Sequence, residues 1–355
     1  MKSFTNANPR DLAHAVTLIK QGQASSRSVA IAGGGSDLLG MMKERLVAPD
    51  VLVNLKAIKG LDQVRTDSGG LTIGGLITLA ALAAHPQIRR QYQVLAEAAE
   101  GVATPQIRNV ATLAGNVCQR PWCWYYRNGF ACLKNGGTTC YSVTGENEFH
   151  AIFGGGPSYI VHPSDTAPAL VALDAKFRIV GPAGERVVPA AEFFTLPTVD
   201  AARENVLKDG EVLAFISLPR PAGGARSTYH KILDREAWTH AVVSAAVVLD
   251  MQNDVCRSAR VVLGGVAPIP WRLPEVEKML AGQRITPALA AQAGEAAVAG
   301  ARPLAKNGYK VPLTRAMVAR TLNDIADRGL RSATVAAASK GDDHHGNTDL
   351  KRESL

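Results

Sequence analysis

Ile31-Ala32-Gly33-Gly34-Gly35-Ser36-Asp37-Leu38 is the stretch on which the fold turns. Val29-Ala30-Ile31 reads as a short apolar strand, and it runs directly into three glycines followed by Ser36-Asp37. Glycines let a backbone approach a ligand closely and point its N–H groups outward. Successive outward amides form a nest that binds phosphate oxygens. Taken alone, the stretch reads equally well as a tight turn. It is neither G-x-G-x-x-G nor a Walker loop, which disfavours a Rossmann or P-loop site.

Outward from this loop the first half alternates strand and helix patterns, an α/β signature. A strand starts at Ser3-Phe4, and Asn8-Pro9 caps a helix with Leu12, Ala15, Val16 and Ile19 on one face. Val51–Leu55 and Leu71–Gly74 read as strands, Thr78–Ala84 and Gln91–Gly101 as helices. Residues 118–160 break the pattern with cysteines, clustered aromatics and many Gly, Asn and Thr, as an irregular insertion would. Helical periodicity returns over His162–Leu173, with Ser164 or Asp165 near its start. Farther on, Trp238–Leu249 and Ser258–Leu263 read as strands, and Leu273–Leu280, Thr286–Ala299 and Leu313–Arg328 as helices. Residues 331–355 are polar and patternless, as in a disordered tail, and His344-His345 within them read as solvated.

The 355 residues suffice for two or three domains with buried cores. The formal charge is +8, from 39 Lys and Arg against 31 Asp and Glu. These cations are scattered, with no basic block and no nucleic-acid motif, so the charge points to an anionic ligand or an acidic partner and not to nucleic acid. The first residues have no apolar h-region, and no apolar run approaches the ~18 residues of a membrane span. The expected location is the cytoplasm, or the periplasm only by export together with a signal-bearing partner.

Two further segments offer ligand contacts. Thr104-Pro105-Gln106-Ile107-Arg108-Asn109-Val110-Ala111-Thr112-Leu113-Ala114-Gly115-Asn116 supplies hydroxyls, an amide side chain and a close-approach glycine. In His162-Pro163-Ser164-Asp165, Asp165 either caps the following helix or holds a ligand hydroxyl. The three segments, in this order, resemble the FAD-binding subunit of the xanthine dehydrogenase and carbon monoxide dehydrogenase family. The resemblance spans about residues 1–325 and includes Tyr229-His230-Lys231, Arg235, Pro303-Leu304 and Tyr309-Lys310-Val311.

It implies an α+β chain: a vanillyl-alcohol-oxidase-like FAD-binding domain (PCMH-type) over 1–222, containing the 118–160 insertion, then a CO dehydrogenase flavoprotein C-terminal-like domain over 223–330. It implies that Ala32, Gly33, Gly34, Gly35, Ser36, Asp37 and Leu38 lie along the FAD diphosphate. Thr112, Gly115 and Asn116 would make a second diphosphate and ribityl contact, Asp165 would meet sugar or ribityl hydroxyls, and Lys231 would stand near the isoalloxazine to stabilise reduced, anionic flavin. The partners implied are a molybdopterin-binding large subunit and a [2Fe–2S] small subunit. This chain shows neither a molybdopterin motif nor a [2Fe–2S] pattern, and no nucleophile or acid–base constellation. Electrons would pass from the partner centres through FAD to an external acceptor. A standalone FAD oxidase of the same fold, and a 4-hydroxybenzoyl-CoA reductase-like subunit sending electrons toward molybdenum, are the alternatives.

Four of the five cysteines fall in Cys118-x4-Cys123-x8-Cys132-x7-Cys140, and Cys256 stands apart as an ordinary thiol. A disulfide framework is out of place in a chain of this length without an export signal. Structural zinc sites use two closely spaced pairs, and only the first gap here fits. A [4Fe–4S] cubane tolerates looser spacing around its soft metal core. Zinc and unligated thiols are the competing readings. Within the family the insertion is similar to that of an aldehyde oxidoreductase or 4-hydroxybenzoyl-CoA reductase FAD subunit. Cys118, directly behind the flavin motif, is the weakest of the four ligands, and Tyr159 stands where another member places a cysteine. Trp122, Trp124, Tyr125 and Tyr126 would shield the cluster from water.

Overall fold

The computed structural model describes residues 1–235 and 239–341, with side chains through residue 327. Three sheets organise the described residues. A small parallel sheet places Val51–Asn54 between Thr5–Ala7 and Val29–Ala32. Its central strand is buried, and the helix Leu12–Ala24 lays Ala15 and Ile19 on it. Burying a side chain such as Ile19 is worth about 1.5–3 kcal/mol. The helix is capped by Asp11, whose carboxylate accepts the His14 N–H at 2.7 Å, and not by Asn8-Pro9. Asp11 wins because its oxygen reaches the N–H three residues on, where a helix start has an unpaired donor.

The second sheet has five antiparallel strands, in the order Val64–Asp67, Gly70–Gly74, Val212–Pro219, Lys176–Gly181 and Gly184–Pro189. Leu71, Ile73, Phe177 and Ile216 pack from it against the helices Leu79–Ala84 and Gln93–Glu100. Thr78 caps the first of these helices.

The third sheet belongs to the C-terminal half. Its main strands are Ala225–Ile232, Val243–Gln252 and Val255–Gly264. The last two join through Asn253-Asp254, both at positive φ, the backbone a two-residue hairpin turn demands. Strand side chains alternate between faces. Val243, Ala245, Val247 and Leu249 therefore enter the C-terminal core with the helices Pro274–Leu280 and Pro287–Ala297, while Ala246, Val262 and Tyr229 enter the N-terminal core. One sheet thus serves both halves. Glu97 stitches the junction by accepting the Thr228 hydroxyl and the Tyr229 N–H, each at 2.8 Å.

The helix Lys310–Gly341 carries a helical backbone through residues 331–341, part of the expected disordered tail. Ala-rich sequence without proline sustains a helix without patterning. Residues 342–355, with His344 and His345, and Trp238 at the expected start of a strand, lie outside the described residues. No helix among the described residues is long and apolar enough to cross a membrane.

The 118–160 insertion is irregular, built from single turns at Trp124–Arg127, Leu133–Asn135 and Tyr141–Val143. Tyr125, Phe130 and Tyr141 pack as a triad with ring centroids 5.3–5.9 Å apart. The C-terminal half pins its end. Asn307 donates to the His150 and Ala151 carbonyls, and Lys310 donates to the Phe149 and Gly265 carbonyls at 2.9 and 2.8 Å. Burial pulls the Lys310 ammonium down to about 7.

Candidate cofactor site

The strand Val29–Ala32 ends with Ala32 buried, and the glycine loop packs flat against the 110–112 backbone. A Cβ on Gly34 would stand 2.0 Å from the Val110 carbonyl oxygen, and one on Gly33 2.8 Å from the Thr112 hydroxyl. Gly35 has φ +78°, a left-handed backbone. Beyond the glycines, Ser36 faces a cavity. Asp37 instead turns to the insertion, accepting Arg127 Nη2 at 2.7 Å and the Arg120 N–H at 3.1 Å. Leu38 begins the helix Leu38–Lys43 and packs beside Met41, Tyr126 and Cys132. The expected diphosphate loop is therefore tied to the cysteine insertion by charge and by packing.

The cavity has a volume of about 760 Å³, within the ~300–1,000 Å³ common for cofactor sites. Ser36, Gly115, Asn116 and Asp165 line it together, so residues from all three sequence segments converge. Thr112 stands behind them: its hydroxyl accepts the Gly115 N–H at 3.2 Å and caps the turn Leu113–Val117. Asn116 Oδ1 accepts the Ser164 and Thr166 hydroxyls, each at 2.7 Å, which fixes two of the segments to each other. The cradle of glycines and the mostly apolar cavity with a few convergent polar groups fit FAD.

Two cavity walls were not legible in the motifs. Trp122 lies over the Arg127 guanidinium, 4.3 Å from its ring centroid, and 5.4 Å from the His240 ring. The sequence placed Trp122 with the cluster, whereas it lines the larger cavity. His240 carries no sequence signal at all: it is a lone histidine within the expected strand Trp238–Leu249, and the observed strand starts only at Val243.

Asp165 and Lys231 stand closer to each other than the resemblance implies. The helix starts at Thr166, and Ser164, not Asp165, bonds its first turn by accepting the Ala167 N–H at 3.0 Å. Asp165 accepts the Tyr229 hydroxyl and Lys231 Nζ, both at 2.7 Å. Tyr229 and Lys231 are two apart on one strand, so both project toward the N-terminal half, where Asp165 is. Lys231 Nζ also donates to the Gly101 carbonyl at 3.0 Å. Lys231 is buried behind Asp165 and does not itself line the cavity. The pair presents the cavity with an oriented carboxylate backed by a cation. Burial, and then the Asp165 charge, push the Tyr229 phenol well above its ordinary range, so it remains a donor.

Next to this pair, burial holds the His162 imidazole down at about 3. Its folded value lies below the unfolded one, near 6.5, so the unfolded chain binds the extra proton. Stability contributed by His162 is then present above pH ~6.5 and falls by about 1.4 kcal/mol per pH unit on acidification toward pH ~3. Urea unfolding at pH 7 and pH 5 should show this slope in the wild type. His162→Phe should remove that share of it; equal slopes in the two proteins would disprove the assignment.

The cysteines separate. Cys123, Cys132 and Cys140 ring one small, partly enclosed void, together with Tyr125, Tyr126 and Ser158. Cys118 is not among them. It ends the turn Leu113–Val117, its N–H donates to the Ala114 carbonyl, and it packs against the N-terminal core. Apolar surroundings push its thiol up to about 12. The reason is helical geometry: the turn that sets Gly115 and Asn116 on the cavity directs its last residue inward. Among the described residues no group of three or more His, Cys, Asp or Glu is arranged around a single metal ion. Three thiols around a void, walled by aromatic rings, suit a larger cluster better than one ion. Cys123 lines both the void and the large cavity, and its Sγ lies 3.4 Å from His150 Nε2. Cys256 is buried in the C-terminal core, apart from both.

The fold and cavity define an FAD-binding oxidoreductase domain. Residues 2–221 match the family model described as the FAD binding domain in molybdopterin dehydrogenase, and residues 228–325 match the CO dehydrogenase flavoprotein C-terminal domain. The chain belongs to the FAD-binding medium-subunit family of the xanthine dehydrogenase and CO dehydrogenase type of molybdenum hydroxylases. It is 35% identical over 329 residues to the aldehyde oxidoreductase FAD-binding subunit PaoB of Escherichia coli (strain K12), covering 91% of this chain and 98% of that one. It is 28% identical over 320 residues to the carbon monoxide dehydrogenase medium chain of Hydrogenophaga pseudoflava, covering 89% and 94%. The solved carbon monoxide dehydrogenase of Hydrogenophaga pseudoflava superposes with a TM-score of 0.71 at 26% identity, covering 92% of this chain and 98% of that one.

Proposed function

We propose that this chain carries FAD and a [4Fe–4S] cluster in a heterotrimeric molybdenum hydroxylase, beside a molybdopterin-binding large subunit and a [2Fe–2S] small subunit. Electrons leave the partner centres, reach FAD here and pass to an external acceptor. The observation that carries the reading is Cys123, which lines both the flavin cavity and the three-cysteine void. Bound flavin supplies the one- and two-electron chemistry; the chain binds, orients and tunes it. The glycine loop would hold the diphosphate, Gly115 and Asn116 the ribityl side, and Asp165, backed by Lys231, the hydroxyls or the ring system. Cys123, Cys132 and Cys140 would hold the cluster in a void from which Tyr125 and Tyr126 exclude water, which tunes its potential. Similarity to an aldehyde oxidoreductase subunit favours aldehydes as the substrate class of the complex. The complex works in the cytoplasm, or in the periplasm where a partner carries the export signal.

The test is to express the chain with its two partners, purify the complex and measure flavin, iron and zinc. The expected result is one FAD per chain and about four irons beyond those of the partner clusters. Cys132→Ser should remove only these irons and leave the flavin in place. Zinc without flavin would overturn the reading.

A further inference from the structure

We infer that the cluster is held by three thiolates only, Cys123, Cys132 and Cys140, and that its fourth iron faces the Ser158 hydroxyl and is exchangeable. The inference rests on the cluster proposed above and adds what holds its last corner. Cys118 is half-buried, packs against the N-terminal core and does not line the void. Most other polar groups on the void are already engaged. The Ser142 hydroxyl lies 3.1 Å from Cys140 Sγ, and Lys134 Nζ pairs with Glu204 at 2.7 Å and donates to the Ala201 carbonyl. The Tyr125 hydroxyl accepts the Glu146 N–H, and the Tyr126 hydroxyl donates to Met41 Sδ. His150 approaches Cys123 but lines the larger cavity and not the void.

Ser158 remains. It is buried, and it lines the void beside the three cysteines. The backbone around it is fixed, because the Tyr159 carbonyl accepts the Ala151 N–H and the Ser158 carbonyl accepts the Gly156 N–H. A serine oxygen is a hard donor and a poor match for iron in a sulfide cluster, where thiolates are preferred. The corner it faces is therefore the one that exchanges. One-electron oxidation of [4Fe–4S]2+ by ferricyanide gives [4Fe–4S]3+, which sheds Fe2+ and leaves [3Fe–4S]+; the electron goes to ferricyanide, and charge balances.

The experiment uses the purified complex, treated with ferricyanide and followed by iron analysis and EPR. Oxidised [2Fe–2S] partner clusters are diamagnetic, so a signal in the oxidised sample reports the three-iron form. The wild type should lose one iron of the four, show the [3Fe–4S]+ signal, and lose that signal again after Fe2+ and reductant. Ser158→Cys should slow the iron loss by about tenfold or more by supplying a fourth thiolate. Cys118→Ser should behave as the wild type. A wild-type cluster that keeps all four irons, loss of the cluster in Cys118→Ser, or loss of it in His150→Ala with Ser158→Cys unchanged from the wild type would each overturn the inference. A wild-type complex with no iron beyond the partner clusters would instead sink the cluster proposal itself.

Discussion

Gly34→Val should abolish FAD retention and destabilise the chain by about 3 kcal/mol, the upper part of the usual range for overpacking. The added Cβ would lie 2.0 Å from the Val110 carbonyl oxygen, and the obstacle is backbone, which cannot rotate away. Separating the two segments would move Ser36 from the cavity and pull Asp37 from Arg127, so the glycine loop and the insertion should loosen together. Flavin absorbance per chain and the thermal midpoint check this. Gly40→Ala is the control. It lies inside the helix Leu38–Lys43 with nothing within 4 Å of the added carbon, so it should keep its flavin and gain about 0.5–1 kcal/mol. Normal flavin content in Gly34→Val would remove the diphosphate role from this loop.

Asp165→Ala should cost about 3–5 kcal/mol, because it leaves the buried Lys231 ammonium without its counter-charge and the Tyr229 hydroxyl without its acceptor. The carboxylate also lines the cavity, so flavin affinity should fall as well. Asp165→Asn preserves a hydrogen-bond acceptor but not the charge. Combining it with Lys231→Met removes the stranded cation, and the double variant should recover much of the stability lost by Asp165→Asn alone. Denaturant unfolding of the four proteins closes the cycle. Additive losses would show that the two side chains act independently, against the 2.7 Å pairing.

Much of the fold is written in local chemistry. Val29–Ala32 and Val51–Asn54 are short β-branched runs, and the glycines after Ala32 can only be a close turn or a ligand loop. Thr78 and Thr112 mark starts of turns because a hydroxyl there satisfies an unpaired N–H. Ser164 was one of two candidates for the same role, and the sequence does not choose between Ser164 and Asp165. The choice is made by Tyr229 and Lys231, which arrive from 64 and 66 residues away and take the carboxylate. His240 and Trp122 likewise become cavity walls through packing that no spacing announces.

The sequence by itself determined the three segments that line the cavity, their order, the irregular insertion and the two-part architecture, because turns, caps and strand alternation act between neighbours in the chain. Tertiary structure alone decided which side chains meet. Strand parity sets Tyr229 and Lys231 on Asp165 and hides the lysine behind it. Helical geometry turns Cys118 against the N-terminal core, while the folded-back turns of the insertion bring Cys123, Cys132 and Cys140 around one void. Four cysteines within 23 positions read as one set, yet which of them face each other depends on the direction each side chain leaves the backbone, and that is fixed only when the surrounding elements pack.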